Sequence, residues 1–296
     1  MTIIQLEYLL AVANYGSFSL ASEKCFVTQP SLSMQIKNLE EELDVILLDR
    51  SRKPVIPTDA GQVVIRQAKE AVKAFHSVRE TVADLRGEIS GVLRLGVIPT
   101  IAPYLLHRFI PDFARNYPNV ELQIREMMTA DIVRALERDM LDAGLIAGGA
   151  PEGIIEEELF NDRFWAYVSI GHPLYERHNI RIEDIDVRRL LLLSEGNCLR
   201  DQVLELCQAQ KNVAKQYSFE SGSLETLMRI VDNSPNMMTI IPEMVVEYIA
   251  DEHRPQVKTL SKGATSRKIT IAVRRTYVKQ SLIAALKESI AAVARS

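Results

Sequence analysis

Cysteine is scarce, with three residues in 296. No C-x-x-C pair occurs, and none of the five His lies near enough in sequence to the Cys198–Cys207 segment to complete a ligand pattern. The common spacings of a structural zinc site are therefore missing, and no metal is expected. No apolar stretch approaches the ~20 residues that span a bilayer. The start, Met1-Thr2-Ile3-Ile4-Gln5, lacks the basic residues and apolar run of a secretory signal. There is no polybasic tail, and the formal net charge is −4. These absences argue against a membrane or secreted protein and lead us to expect a cytoplasmic one. In that compartment thiols stay reduced, and a disulfide is more often transient or sensing than structural.

Two of the three cysteines fall close together, in Asn197-Cys198-Leu199-Arg200-Asp201-Gln202-Val203-Leu204-Glu205-Leu206-Cys207. The segment reads as a short helix after a Gly196-Asn197 turn. Nine helical steps separate the α-carbons by about 13.5 Å and half a turn of rotation. A disulfide needs them roughly 4.4–6.8 Å apart. The two sulfurs cannot bond while the helix is intact. Cys198 shares its face with Asp201, Gln202 and Glu205, and Cys207 lies among Leu199, Val203, Leu204 and Leu206, so one thiol is predicted wet and the other buried. Helix-start N–H groups and nearby Arg200 favour a thiolate at Cys198. A thiol switch and a pair of inert structural cysteines both fit this spacing.

Residues 1–57 are helix-rich. Leu6, Leu9, Leu10 and Ala13 recur at helical spacing up to Gly16-Ser17, and Ser19–Cys25 reads as a second short helix with Cys25 in the core. Gln29-Pro30-Ser31 opens a third helix to about Glu42, with Pro in the first turn, where its missing N–H costs nothing. That helix carries Ser31, Ser33, Gln35 and Lys37, side chains suited to base edges and phosphates. Arg50-Ser51-Arg52-Lys53-Pro54 follows as a compact basic turn, a candidate wing. Yet residues 1–60 hold five Lys/Arg and eight Asp/Glu, a net of −3. Phosphate neutralisation supplies most non-specific affinity, so one such module should bind weakly and rely on several copies.

Thr58-Asp59 caps a long helix predicted to reach about Arg86. On it Val64, Ala68, Ala71, Phe75, Val78, Val82 and Leu85 step by four and three, a heptad seam that predicts a dimer-forming linker helix. Gly87-Glu88-Ile89-Ser90-Gly91 reads as a hinge. Beyond it strands and helices alternate: strand Val92–Val97, helix to about Asn116, strand Val120–Arg125, helix Thr129 to about Arg138, strand Ala143–Ala147, strand Leu190–Leu193, strand Lys268–Val273 and a last helix Val278–Ala292. Such alternation predicts an α/β fold with parallel sheets and ligands beyond the strands' C-terminal ends. Three strand-to-helix junctions carry polar residues, Pro99-Thr100, Met128-Thr129 and Asn197-Cys198. Each polar side chain fits a helix cap, or together they make a nest of donors for a small polar ligand.

Gly16-Ser17-Phe18, Ala21, Gln29-Pro30-Ser31-Leu32-Ser33, Gln35-Ile36, Leu39-Glu40, Leu43 and Asp49-Arg50 resemble the winged helix-turn-helix of LysR-type transcriptional regulators. Ser22, Asp44 and Leu48 depart from the family's usual Ala, Gly and Phe. Ile98-Pro99-Thr100, Pro103-Tyr104-Leu105-Leu106, Cys198-Leu199-Arg200-Asp201-Gln202 with Cys207, and Ser223-Leu224-Glu225-Thr226-Leu227 resemble the peroxide-sensing members of that family.

The resemblance implies three parts. A winged helix-turn-helix occupies 1–57, a dimerising linker and hinge 58–87, and a two-lobed regulatory domain like the periplasmic binding proteins 88–296. Lobe I would span about 91–161 and 267–296, and lobe II about 162–266. The resemblance also implies that Thr28, Gln29, Pro30, Ser31, Ser33, Gln35, Lys37, Arg50, Arg52 and Lys53 serve DNA binding. Cys198 would be the peroxidatic thiol and Cys207 the resolving one, with Thr100, Thr129, Asn197, Asp201 and Arg267 around the peroxide. Partners would be a double-stranded operator, hydrogen peroxide, further copies of the chain as a dimer or tetramer, and a thiol reductant. No cofactor, catalytic turnover or membrane partner is expected. Asn197 stands where these sensors usually place His, and Asn cannot titrate as His does. Asp232-Asn233-Ser234-Pro235-Asn236 replaces a usual Ala/Gly turn.

Three rivals share parts of this pattern. A LysR-type regulator that binds a metabolite between its lobes would leave the thiols inert. A thiol peroxidase would leave the helix-turn-helix unused. A periplasmic solute-binding protein would need the missing signal.

Overall fold

The computed structural model describes residues 1–85, 89–207, 222–261, 266–275 and 279–294. Side chains at 73, 76, 77 and 79–85 lie outside the description. So do Arg86, Gly87 and Glu88 of the expected helix end and hinge, and Val278 of the last helix. The chain forms two compact units, Met1–Glu88 and Ile89–Ser296.

The first unit comprises α1 (Ile3–Tyr15), α2 (Phe18–Lys24), α3 (Gln29–Leu43), β1 (Leu48–Asp49), β2 (Ile56–Pro57) and α4 (Asp59–Leu85). Local chemistry sets its ends. Thr2 and Gln5 form a reciprocal capping box on α1, and Ser17 and Thr28 cap α2 and α3. Gly16 ends α1 at φ +62, with Pro54 Cβ only 2.8 Å from where a Cβ would sit, so a side chain would clash there. Asp44 adopts the left-handed φ of +51 that closes α3, which accommodates its departure from Gly. Ser22, buried, satisfies its hydroxyl on Ser19 O at 2.8 Å. Cys25 lies at the C-cap of α2, half-buried on the core, rather than inside the helix.

The core joins Leu6, Leu9, Val12, Leu32, Ile36 and Leu39 to Ile65 and Ala68 of α4. This corrects part of the linker reading. Ala68, with half-buried Val64 and Val72, belongs to the unit's own core, so the start of α4 has an apolar face that the heptad count hid. Ala71, Phe75 and Val78 are exposed further along.

The second unit holds β3 (Gly91–Val97), α5 (Ala102–Asn116), β4 (Val120–Glu126), α6 (Thr129–Glu137), β5 (Ala143–Ile146), β6 (Ile154–Val168), β7 (Asn179–Arg181), β8 (Leu190–Leu191), α7 (Cys198–Leu206), α8 (Leu224–Asn233), β9 (Met238–Pro242), α9 (Glu243–Val246), β10 (Val257–Ser261), β11 (Ser266–Arg274) and α10 (Gln280–Ala294). One sheet runs β4-β3-β5-β11-β6-β10-β7, with β9 and β8 attached through β6. Two apolar cores cover its two halves. The first gathers β3, β5 and β11 with α5, α6 and α10. The second gathers β8 and β9 with α7 and α8. The fifteen-residue β6 crosses from one half to the other, pairing with β11 up to Arg163 and with β9 from Phe164.

The expectation of parallel sheets holds only in part. The β3 pairings are parallel, but β6 and β11 run antiparallel to each other, and β11 to β5. A long crossing strand leaves no room for a helical crossover on each return, so the sheet is mixed.

Candidate functional site

β3 pairs in parallel with both β4 and β5, with Val97 opposite Glu126 and opposite Leu145. Three C-terminal strand ends therefore share one edge of the sheet, where α/β folds bind ligands. Thr100, Thr129 and Ala147 leave β3, β4 and β5 at that edge. Met127 N–H to Val97 O at 2.9 Å and Ile98 N–H to Leu145 O at 3.2 Å tie the turns together.

Behind this edge sits a closed polar platform. Arg267 on β11 and Asp162 on β6 are cross-strand partners, and both are buried. Arg267 Nε and Nη2 donate to Asp162 Oδ2 at 3.0 and 2.9 Å, Nη1 to Thr100 Oγ1 at 2.8 Å, and Nη2 to Thr100 O at 3.1 Å. Asp162 Oδ1 accepts Met244 N–H at 3.2 Å. Thr100 accepts from the guanidinium, so its own hydroxyl proton is turned elsewhere.

α7 docks onto the same edge. Asn197 caps it, its Oδ1 accepting Leu199 N–H at 3.1 Å, and Gln202 Nε2 donates to Ala147 O at 2.8 Å. Cys198 lies one turn before Gln202 on that face. Cys198 packs against the first core, and Cys207 at the helix C-cap packs against the second, its N–H on Val203 O at 3.0 Å. Both thiols are free and half-buried. This corrects the expectation of one wet and one buried thiol. The start of α7 is wedged against the first core, so only Asp201 and Glu205 take the solvent side. Burial raises the Cys207 thiol pKa.

Five buried polar side-chain atoms have no partner among the described residues; three of them, Thr129 Oγ1, Asn197 Nδ2 and Gln202 Oε1, belong to this strand edge and α7, and the other two are Trp165 Nε1 and His172 Nε2. A buried polar atom without a partner costs free energy. Of the three junction residues, only Asn197 is a cap. Thr129 starts α6 without capping it, and Thr100 is held by Arg267. Asp201 is exposed in the first turn of α7, where a carboxylate suits the helix dipole. The sequence reading missed Gln202 as a site residue, although its i+4 spacing from Cys198 was a usable signal. It also missed Asp162, whose partner lies 105 residues away.

The halves of the sheet are further tied by Tyr104 OH donating to Glu225 Oε1 at 2.8 Å and by a 2.8 Å bond between Tyr248 OH and His107 Nε2. Burial first, and the Glu225 carboxylate second, push the Tyr104 phenol pKa well up.

In the first unit, Thr28 caps α3, accepting Ser31 N–H at 3.4 Å, while Gln29, Pro30 and Ser31 are exposed and Ser33 and Gln35 half-buried. Lys37 is exposed and pairs with Glu41 at 3.3 Å. Arg50 pairs with Glu40 at 2.6 Å and lies over the Phe18 ring at 5.1 Å. Arg52 pairs with Asp49 at 3.3 Å, and Lys53 is exposed. Val82 and Leu85 of the linker seam have side chains outside the described residues. Among the described residues no helix is long and apolar enough to cross a membrane, and no group of three His, Cys, Asp or Glu is placed to hold a metal.

Two family descriptions match, the bacterial regulatory helix-turn-helix of the lysR family over residues 3–62 and the LysR substrate binding domain over residues 86–295. OxyR of Escherichia coli K12, described as a DNA-binding transcriptional dual regulator, is 34% identical over 83% of this chain and 80% of its own. The chain belongs to the LysR family, in its OxyR group. It is accordingly a DNA-binding regulator and not an enzyme. A full-length OxyR cysteine variant from Pseudomonas aeruginosa superposes with TM-score 0.80 at 31% identity, covering 98% of this chain and 94% of that one. A hydrogen-peroxide-bound OxyR variant from Corynebacterium glutamicum gives TM-score 0.65 at 26% identity, covering 99% and 92%.

Proposed function

We propose that this OxyR-group regulator senses hydrogen peroxide at Cys198 and converts the reaction into a reversible Cys198–Cys207 disulfide. The observation that carries this reading is the position of the two thiols. They stand at opposite ends of one helix, Cys198 in its first position and Cys207 at its C-cap, and each is packed on a different core. The peroxide-bound relative supports the choice of oxidant.

Peroxide offers two donors and several lone pairs. The unpaired atoms at the strand edge are complementary: Asn197 Nδ2 donates, Gln202 Oε1 accepts, and the Thr129 hydroxyl does either. The cap bond and the Ala147 bond fix which way the two amides point. Thr100, set by Arg267, orients the substrate from the platform side. The Cys198 thiolate attacks one peroxide oxygen. An S–O bond forms, the O–O bond breaks, and hydroxide leaves to take up a proton as water. Asn197 and Thr129 stabilise that departing charge.

Cys207 then attacks the Cys198 sulfenic sulfur, forming the S–S bond and releasing the oxygen as water. About 13.5 Å of helix separates the α-carbons in the folded state, so α7 must come apart first. The expected refolding segment, 198–211, extends past Cys207 into residues outside the described ones. Repacking α7 changes how the two halves of the sheet meet, and through that the spacing of paired reading heads on an operator. A dithiol reductant supplies two electrons to reset the pair. Dimers or tetramers joined by α4 beyond its packed start, through Ala71, Phe75, Val78, Val82 and Leu85, present those heads to a double-stranded operator in the cytoplasm.

Thiol-trapping mass spectrometry after brief stoichiometric peroxide tests this. A fast Cys198–Cys207 disulfide, reversed by dithiol, is expected. Thiols that stay free would leave a LysR-type regulator whose signal is a metabolite.

A further inference from the structure

The inference rests on the reading that the first unit binds operator DNA. Three of the five Lys/Arg in residues 1–60 pair within the unit: Arg50 on Glu40, Lys37 on Glu41 and Arg52 on Asp49. With a net charge of −3 over residues 1–60, phosphate neutralisation supplies little of its affinity. What the outer face of α3 displays instead is partly apolar. Pro30, Met34 and Lys37 follow each other by four and three on one stripe, and Met34 is 57% exposed in the middle of it. Phe26, in the turn between α2 and α3, is 96% exposed and takes a left-handed φ of +55. That conformation is strained for an aromatic residue, and a fully wet ring returns no packing to the folded unit. Phe26 adds almost no packing to the unit that carries it, and more than half of Met34 lies in water.

Both flank the beginning of the helix that a helix-turn-helix inserts into the major groove. The apolar group displayed there is the C5 methyl of thymine. We propose that Met34 and Phe26 form an apolar reading element that contacts thymine methyl groups of the operator. The chain would then choose its half-site by methyl contact more than by phosphate neutralisation.

The test uses the full chain and an operator that it selects from a random duplex pool. Affinity is measured for duplexes in which single dT residues are replaced by deoxyuridine, which removes the methyl alone. For the wild type, at least one replacement per half-site should weaken binding about fourfold, the effect of one buried methyl. The same replacement should add nothing for Met34→Ala or Phe26→Asn. Asn tolerates the left-handed turn, so Phe26→Asn should melt higher than wild type while binding more weakly, which separates contact from misfolding. A wild type indifferent to every deoxyuridine overturns the proposal while leaving DNA binding intact. Losses identical in wild type and variants overturn the assignment to these two residues. Variants that keep DNA affinity but change the oligomer in sedimentation give the patch to a second copy of the chain and overturn it too. A chain that selects no duplex overturns the DNA-binding reading and this proposal with it.

Discussion

The two ends of α7 are held by different physics. The Cys198 end is fastened by directed polar bonds, from the Asn197 cap, from Gln202 to Ala147 O, and from Arg200 Nη1 to Leu193 O at 2.9 Å. Those same side chains leave Asn197 Nδ2 and Gln202 Oε1 unpaired. Among the described residues, the Cys207 end is held by its backbone bond to Val203 O and by the packing of Val203 and Leu204 on the second core, with no side-chain hydrogen bond of that kind. Directed bonds give geometry for a small polar reactant. Apolar packing is non-directional and releases as a unit. On the proposed function, the helix is fixed where the reaction needs precision and held by packing where it has to release.

The largest break in that contrast comes from the platform behind the polar end. Arg267→Ala strands Asp162 as a buried, unpaired charge and should cost about 3–5 kcal/mol, read as a fall in the urea midpoint. No change would mean that Asp162 finds water or another partner. At the other end, Leu204→Ala should cost about 2–5 kcal/mol of stability in the reduced state and speed disulfide formation in quenched-flow trapping. An unchanged rate would separate helix release from resolution. Asn197→Ala removes the cap but also its unpaired amide, so these terms oppose each other. It should cost only about 1 kcal/mol in thermal melts while slowing Cys198 oxidation in stopped flow. Retained oxidation would remove Asn197 from the site. The gentlest probe is alkylation at neutral pH. Burial raises the Cys207 pKa, so it holds little thiolate. Cys198 should react about tenfold faster, and urea should abolish the difference. Equal rates in the folded chain would contradict the packing asymmetry.

Much of this was legible in the sequence, for reasons that differ by element. Helix starts at Thr2, Ser17, Thr28 and Asn197 carry side-chain caps, which are local and readable. The nine-residue helical separation of the thiols needed only counting. β6 was not legible. Its first half, Ile154-Ile155-Glu156-Glu157-Glu158, looks like a solvated acidic run. Its carboxylates are instead matched by Thr270, Lys287 and Lys268 from elements more than a hundred residues away. The same distance hid Asp162 and Arg267 as a pair. The wet-thiol expectation failed because a helical wheel knows one helix, whereas α7 touches two cores. The linker seam was misread in its first turns because one apolar residue can serve both a heptad count and the unit's own core, as Ala68 does.

For the two thiols to meet, α7 must unfold. Hydrogen–deuterium exchange of the peptide spanning 195–207, before and after one equivalent of peroxide, tests it directly, with Cys207→Ser as the control. We expect protected amides in the reduced chain, lost protection in the oxidised wild type, and retained protection in oxidised Cys207→Ser. A disulfide-bonded wild type that keeps its α7 protection would contradict it.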